Sequence, residues 1–391
     1  MTGGHGNAGV EEESVHVGKT VGRAEDVVKV GMIAEMSGPF AETGRQMVNG
    51  AKAYQKVYGD SAGGRKVELI VRDSTGPAPE VAKRLAQELL VNDKVDFLAG
   101  FGLTPNALAV APLATEMKKP MIVMNAATSV ITLKSPYIAR VSFTLAQVAA
   151  PLGTWAAKNG IRKVYTLVAD YGPGIDAETA FKKAFIAGGG EIVGEVRTPL
   201  RNVEFAPYLQ RIKDARPEAV FIFLPVGEQP VAFMKGFSER ELDKAGIRLI
   251  ATGDVTEDGQ LEAMGETPLG VVTTHHYSAA HDSAQNRTFL KAFAEVAGSD
   301  FKPNFMAVGA WDGMAAIYEA IRRNGNGPID GDRALATLKG LKLDSPRGPI
   351  MIDPETRDVV QTVYVRRVQK RGGRVFNVEF EQFPSVKDPG K

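Results

Sequence analysis

The chain contains no cysteine. That absence excludes disulfide scaffolds, Cys-ligated zinc, iron–sulfur clusters and thiol nucleophiles together, and leaves the compartment open, since such a chain suits oxidising and reducing surroundings equally. An excess of charge of either sign is also missing: 47 Lys and Arg stand against 46 Asp and Glu, a formal +1. A near-neutral chain lacks the long-range attraction for phosphate on which nucleic-acid binders depend. No apolar run approaches the ~18–20 residues that cross a bilayer as a helix. The motifs G-x-S-x-G, P-loop and H-E-x-x-H are absent as well. What remains is an ordinary globular composition, 391 residues with 44% hydrophobic and 24% charged. The length suits two to three domains, because single cores stop growing near ~250–300 residues.

Residues 1–26 are Gly-rich and polar, with Glu11, Glu12 and Glu13 in a row. They read as a disordered segment without the apolar stretch of a secretory signal, so the chain is expected either to stay inside the cell or to be a mature form. From Val27 the pattern changes. Short Val/Ile/Leu runs (Val28–Ala34, Val67–Val71, Val95–Ala99, Met121–Met124) alternate with amphipathic stretches predicted as helices. Near-continuous apolar strands alternating with helices imply parallel sheets covered on both faces. A second such set begins near Phe143, with strands at Val164–Ala169, Ile192–Val196, Ala219–Leu224 and Arg248–Ala251. The predicted fold is therefore α/β, with two doubly wound parallel-sheet lobes. The remaining helices return to the first lobe, and several chain crossings make a hinge and a cleft. Lobe 1 is expected over 27–143 plus 276–345 and lobe 2 over 144–275 plus 346–391, with hinge strands near Val141–Leu145, Thr274–Ser278 and Leu343–Pro349.

Ligands of open α/β sheets bind beyond the carboxyl ends of the strands. The residues there are Ser37-Gly38-Pro39, Asp73-Ser74, Gly100–Thr104, Asn125–Thr128, Asp170-Tyr171-Gly172, Pro225-Val226 and Thr252-Gly253-Asp254, rich in hydroxyls and glycines and free of His and Lys. Thr104 suits an N-cap and Pro105 the first turn of a helix whose free N–H groups favour an anion. Gly172-Pro173-Gly174-Ile175-Asp176-Ala177 matches G-x-G-x-x-G/A, with Glu191 or Glu195 about 20 residues on. This is the case for the alternative of another class, an NAD-dependent oxidoreductase using the Gly172 turn. Asp170 and Tyr171 would crowd a pyrophosphate there, and Pro173 removes an amide. His275 and His276, adjacent on a strand, are expected on opposite faces, which argues against a metal site. Arg366, Arg367, Lys370, Arg371 and Arg374 flank Gly372-Gly373 and read as a solvated hairpin. A cleft of hydroxyls, amides and carboxylates without a catalytic constellation describes a closing trap for a small polar ligand, non-catalytic and without a cofactor.

The same residues carry a family likeness. Val30–Gly44 (VGMIAEMSGPFAETG), followed by Asn49-Gly50-Ala51, resembles the opening of the leucine/isoleucine/valine-binding proteins, type I periplasmic solute-binding proteins of ABC importers. The likeness continues through Gly100–Ala111, Met121–Thr128, Asp170-Tyr171-Gly172 and Gly253-Asp254. The resemblance implies a ligand carboxylate held at Thr104, Ala126 and Thr128, a contact from Tyr171, and an acid at Asp254 that pairs with an α-ammonium. Ser37, Thr43, Phe101, Gly102 and Val226 complete the implied set. Asp254 stands where the family usually has Glu, which shortens the reach by one methylene. Thr43 replaces the family's aromatic, and another aromatic falls near Pro225 or Val226, so smaller walls leave room for a larger ligand. The expected ligand is thus an amino acid, branched-chain or aromatic, with an amide, urea or aromatic acid lacking the amine as the alternative. The implied partner is an ABC permease, the implied compartment the periplasm and the implied state a monomer. The ligand-sensing half of a transcriptional regulator shares the bilobed layout, but no helix-turn-helix precedes Val27.

Overall fold

The computed structural model describes residues 26–391; the expectation of a disordered N-terminal segment concerns residues outside that range. The first lobe opens with β1 (Val27–Ala34), α1 (Ala41–Tyr58), β2 (Ser61–Ala62), β3 (Arg65–Asp73) and α2 (Pro79–Val91). It continues with β4 (Phe97–Gly100), α3 (Thr104–Met117), β5 (Met121–Val123) and β6 (Ile138–Arg140). The sheet order is β2-β3-β1-β4-β5-β6. β1 pairs in parallel with β3 on one side and β4 on the other. The chain therefore winds both ways from β1, and the crevice opens where β1 and β4 end, at Glu35 and Phe101.

The second lobe repeats the device. It runs α4 (Leu145–Lys158), β7 (Lys163–Ala169), α5 (Gly172–Ala187), β8 (Glu191–Thr198), α6 (Ala206–Ala215), β9 (Ala219–Phe223), α7 (Glu228–Glu239), β10 (Arg248–Thr252) and β11 (Val272–His275). β7 lies between β8 and β9, so its end at Ala169 is the switch point. Tyr171, Pro225 and Asp254 follow the ends of β7, β9 and β10.

The chain then returns to the first lobe as α8 (Ala284–Ala297), α9 (Phe305–Asn324) and α10 (Gly331–Leu338). α8 and α9 pack on α1, where Tyr54 meets Trp311 edge-on at 5.3 Å between ring centroids. A last crossing leads to β12 (Lys342–Ser345), β13 (Gly348–Ile352), β14 (Val359–Arg371) and β15 (Arg374–Val386). These strands pair antiparallel and join the second sheet through β11. The second sheet is consequently mixed where the sequence pattern pointed to a parallel one. β12, placed by sequence with the first lobe, bonds to β13 although it also packs on α9. Arg371 and Arg374 face each other across Gly372 and Gly373, both at positive φ, the backbone a two-residue hairpin requires.

Candidate ligand-binding site

Between the lobes lies a narrow cavity. The first lobe contributes Thr43, Gly102, Leu103, Thr104, Asn125, Ala127 and Phe143, and the second Leu145, Tyr171, Pro173, Phe223, Pro225, Val226 and Asp254. The lobes touch around it. Thr128 Oγ1 and the Ser129 amide donate to Asp176 Oδ2 at 2.8 and 2.9 Å, Arg201 donates to the Pro77 carbonyl, and Asn304 Nδ2 donates to Glu257 Oε2 at 2.6 Å.

The cavity has two polar poles. At one, α3 starts at Thr104 and α5 at Gly172, and both helix N-termini meet at the cavity, presenting partial positive charge. The residue capping α3 is Leu103, not Thr104 as the sequence reading had it. The Thr104 hydroxyl is thereby released from capping; it is buried and has no hydrogen-bond partner. Asn125 donates through Nδ2 to the Gly102 carbonyl at 2.8 Å, which leaves its Oδ1 unpartnered. Among the described residues, no Lys or Arg lines the cavity. At the other pole stands Asp254, whose Oδ1 has no hydrogen-bond partner and lies 3.6 Å from His275 Nε2. Burial pushes its carboxyl up to about 7 against a smaller opposing pull from Thr252, its own amide and Arg366. Burial, and then the charges of Asp254 and Glu35, drives the Tyr171 hydroxyl well up. Aromatic rings line the cavity as well, with Tyr171 stacked on Phe223 at 6.1 Å and Phe143 contributed by the first lobe.

Of the residues singled out from sequence, Thr43, Gly102, Thr104, Tyr171, Val226 and Asp254 line this cavity. The other four lie elsewhere, for identifiable reasons. Ser37 is exposed and donates to Asp73 Oδ2 at 2.7 Å. Phe101 points into the first lobe's core. The Ala126 amide is spent on the Phe101 carbonyl at 2.8 Å and its own carbonyl accepts from Arg140 at 2.9 Å. The Thr128 hydroxyl is taken by Asp176.

Two buried groups were not read from the sequence as part of a site. Glu35 accepts from the Leu103 amide at 3.2 Å and Asn106 Nδ2 at 3.0 Å, and burial raises it to about 7. Its Oε2 lies where a Cβ on residue 102 would stand, 2.2 Å away, so only glycine fits there. His275 and His276 do not take opposite faces. β11 ends at His275, and both buried rings turn toward each other with their Nδ1 atoms 3.0 Å apart. The glycines of the 172–177 motif also have packing reasons. A Cβ at 172 would stand 2.6 Å from Thr128 Oγ1 and one at 174 would stand 1.8 Å from the Ala169 carbonyl. The space over that turn is filled by the first lobe.

The arrangement matches known proteins closely. Residues 27–374 fit the family described as periplasmic binding protein. The chain belongs to the periplasmic binding protein family. Within it the chain is a solute-binding protein of the leucine/isoleucine/valine-binding type, as the sequence likeness indicated. Leu/Ile/Val-binding protein homolog 6 of Brucella melitensis is 45% identical over 366 residues, 93% of this chain and 94% of that one. Among solved periplasmic binding proteins, an ABC-transporter solute-binding protein from Rhodopseudomonas palustris BisB5, in complex with 3,4-dihydroxybenzoic acid, is 55% identical. It superposes with a TM-score of 0.90 over 93% of this chain and 99% of its own. A second, from R. palustris HaA2 in complex with p-hydroxybenzoic acid, is 45% identical with a TM-score of 0.91 at the same coverage.

Proposed function

We propose that this protein captures a hydroxylated benzoate for an ABC importer, closing its lobes over the ring. The ligand's carboxylate sits at the Thr104 pole, held by that hydroxyl and the N-termini of α3 and α5, and its ring hydroxyl donates to Asp254. The observation that carries the reading is the pairing of the two poles across aromatic walls, in a chain 55% identical to a protein seen with 3,4-dihydroxybenzoic acid. A dipole-lined pole without a cation suits a carboxylate, and a buried acid near neutrality suits a hydroxyl as partner. Closure follows from the ligand touching both lobes, which shifts the open–closed equilibrium. The protein on this reading binds and delivers, transforms nothing, works as a monomer in the periplasm and hands its cargo to a membrane permease without contacting nucleic acid. The Brucella relative's name supports a second reading, a branched-chain amino acid with its ammonium on Asp254.

A thermal-shift panel of 4-hydroxybenzoate, 3,4-dihydroxybenzoate, benzoate, leucine, valine and phenylalanine separates them. Saturation at 100 times Kd adds about 2.7 kcal/mol. Shifts from the hydroxybenzoates with none from the amino acids are the expected outcome. A shift from leucine alone would reverse the assignment.

A further inference from the structure

Beside Asp254 lies a chain of buried polar atoms, His275 and His276, which are not among the residues lining the cavity. His275 Nε2 is 3.6 Å from Asp254 Oδ1. Neither atom has a hydrogen-bond partner, and the gap is a few tenths of an ångström beyond a bond and too short to seat a bridging water. Such bonds are often long in a ligand-free site and tighten when the ligand is bound. On the other side, His275 Nδ1 lies 3.0 Å from His276 Nδ1, a contact that one proton and only one makes favourable.

The surroundings keep both rings neutral. Each is fully buried, and burial lowers both well below 6.5, with the charges of Arg366 and Arg347 adding to it. Phe143 and Phe305 pack against both rings. The groups facing Asp254 are His275 from β11, Arg366 from β14, Thr252 from its own strand and Tyr171 from the end of β7. Arg366 makes no hydrogen bond to the carboxylate: its Nε and Nη1 donate to Thr273 Oγ1 and the Tyr277 carbonyl at 3.0 and 2.7 Å, its Nη2 lies beside Gly253, and its charge pulls the Asp254 carboxyl down.

A neutral pair can share its Nδ1 proton in two ways. If His275 carries it, the lone pair on His275 Nε2 faces the acid. If His276 carries it, His275 must be protonated on Nε2, and an N–H faces the carboxylate. Resting on the ligand reading above, we propose that His275 is the positioning residue of Asp254: His276 donates to His275 Nδ1, and His275 Nε2–H donates to Asp254, leaving the carboxylate aimed at the ligand's ring hydroxyl. The pair lies where β11 hands the chain back to the first lobe, so the device that selects a hydroxylated ring is built into a hinge crossing. His275 touches no ligand and sets specificity through Asp254.

Two measurements decide it. Nitrogen-15 NMR of the histidine-labelled, ligand-free protein reads the tautomer whatever the ligand is, and with five histidines in the chain His275→Gln assigns the signal. The Nε2–H tautomer of His275 at neutral pH is expected, and the Nδ1–H tautomer would overturn the proposal. Calorimetric titrations then compare 4-hydroxybenzoate with benzoate. His275→Leu is expected to weaken the first about tenfold and the second less than twofold, and His275→Gln, which keeps a donor, to restore most of the difference. The ratio of the two affinities should also fall off at higher pH in His275→Leu than in the wild type, because a carboxylate without its donor protonates sooner. Equal losses for both ligands would reduce His275 to hinge packing and overturn the proposal. A wild type that binds neither benzoate would defeat the ligand reading alone, and the tautomer measurement would still decide the role of His275.

Discussion

At the scale of the residue, the site is a few buried polar atoms left without partners inside an apolar enclosure, an arrangement that costs free energy until something arrives to bond them. Thr104→Val removes one of these and keeps the shape. It is expected to weaken benzoate and 4-hydroxybenzoate alike by about tenfold, since a hydrogen bond to a charged group contributes ~1.5–3 kcal/mol, and calorimetry on the two ligands checks it. Thr104, Tyr171 and Asp254 were legible in the sequence because each follows a strand, where such folds place ligands. Phe143 and Phe223 were not, because an aromatic at a strand's end or a crossing reads as core until its neighbours are known. Glu35 and the His275–His276 pair were equally hidden. Their character comes from burial and from an unmet hydrogen bond, which one dimension does not carry.

At the scale of the element, helix starts and chain crossings matter more than any single contact. α3 and α5 bring their N-termini together from different lobes, and the Asp176 carboxylate near the start of α5 accepts from Thr128 and Ser129 of the other lobe. Asp176→Ala is expected to lower affinity about three- to tenfold for every ligand without changing their ranking, because it weakens closure, not recognition. A change in ranking among the panel ligands would show Asp176 acting on the site itself. The parallel halves of both sheets could be read from their apolar runs. β12 to β15 could not be placed from alternation alone, because antiparallel pairing with β11 depends on where the chain goes after α10. The start of α3 slipped by one residue for a related reason: Thr104 is a good cap by type, but its helix begins at Thr104 itself.

For the whole molecule, burial takes out of water carboxylates that would otherwise stay ionised. Glu257, in the loop after β10, faces Glu42 of α1 and accepts from Asn304 Nδ2. Burial first and Glu42 second raise it from 4.5 to about 8. Glu35 and Asp254 are raised to about 7. Raised acids take up protons on folding and closing, so the stability they permit is fully present below about pH 4 and is lost as pH rises through 7 to 8. The melting temperature should therefore fall between pH 5.5 and 8. Glu257→Gln, which keeps an acceptor for Asn304 and removes the charge facing Glu42, should flatten that slope and melt about 2–4 °C above the wild type at pH 8. An unchanged slope would mean Glu257 stays ionised.

The central claim is that one carboxylate, reached from across the cleft, selects a ring hydroxyl. Its most direct measurement is calorimetric titration of the wild type and Asp254→Ala with 4-hydroxybenzoate and benzoate. The expected result is a wild-type preference for 4-hydroxybenzoate that the substitution abolishes, with a loss of about 10- to 100-fold confined to the hydroxylated ligand. If Asp254→Ala keeps that preference intact, the hydroxyl is bound elsewhere and the assignment of the two poles is wrong.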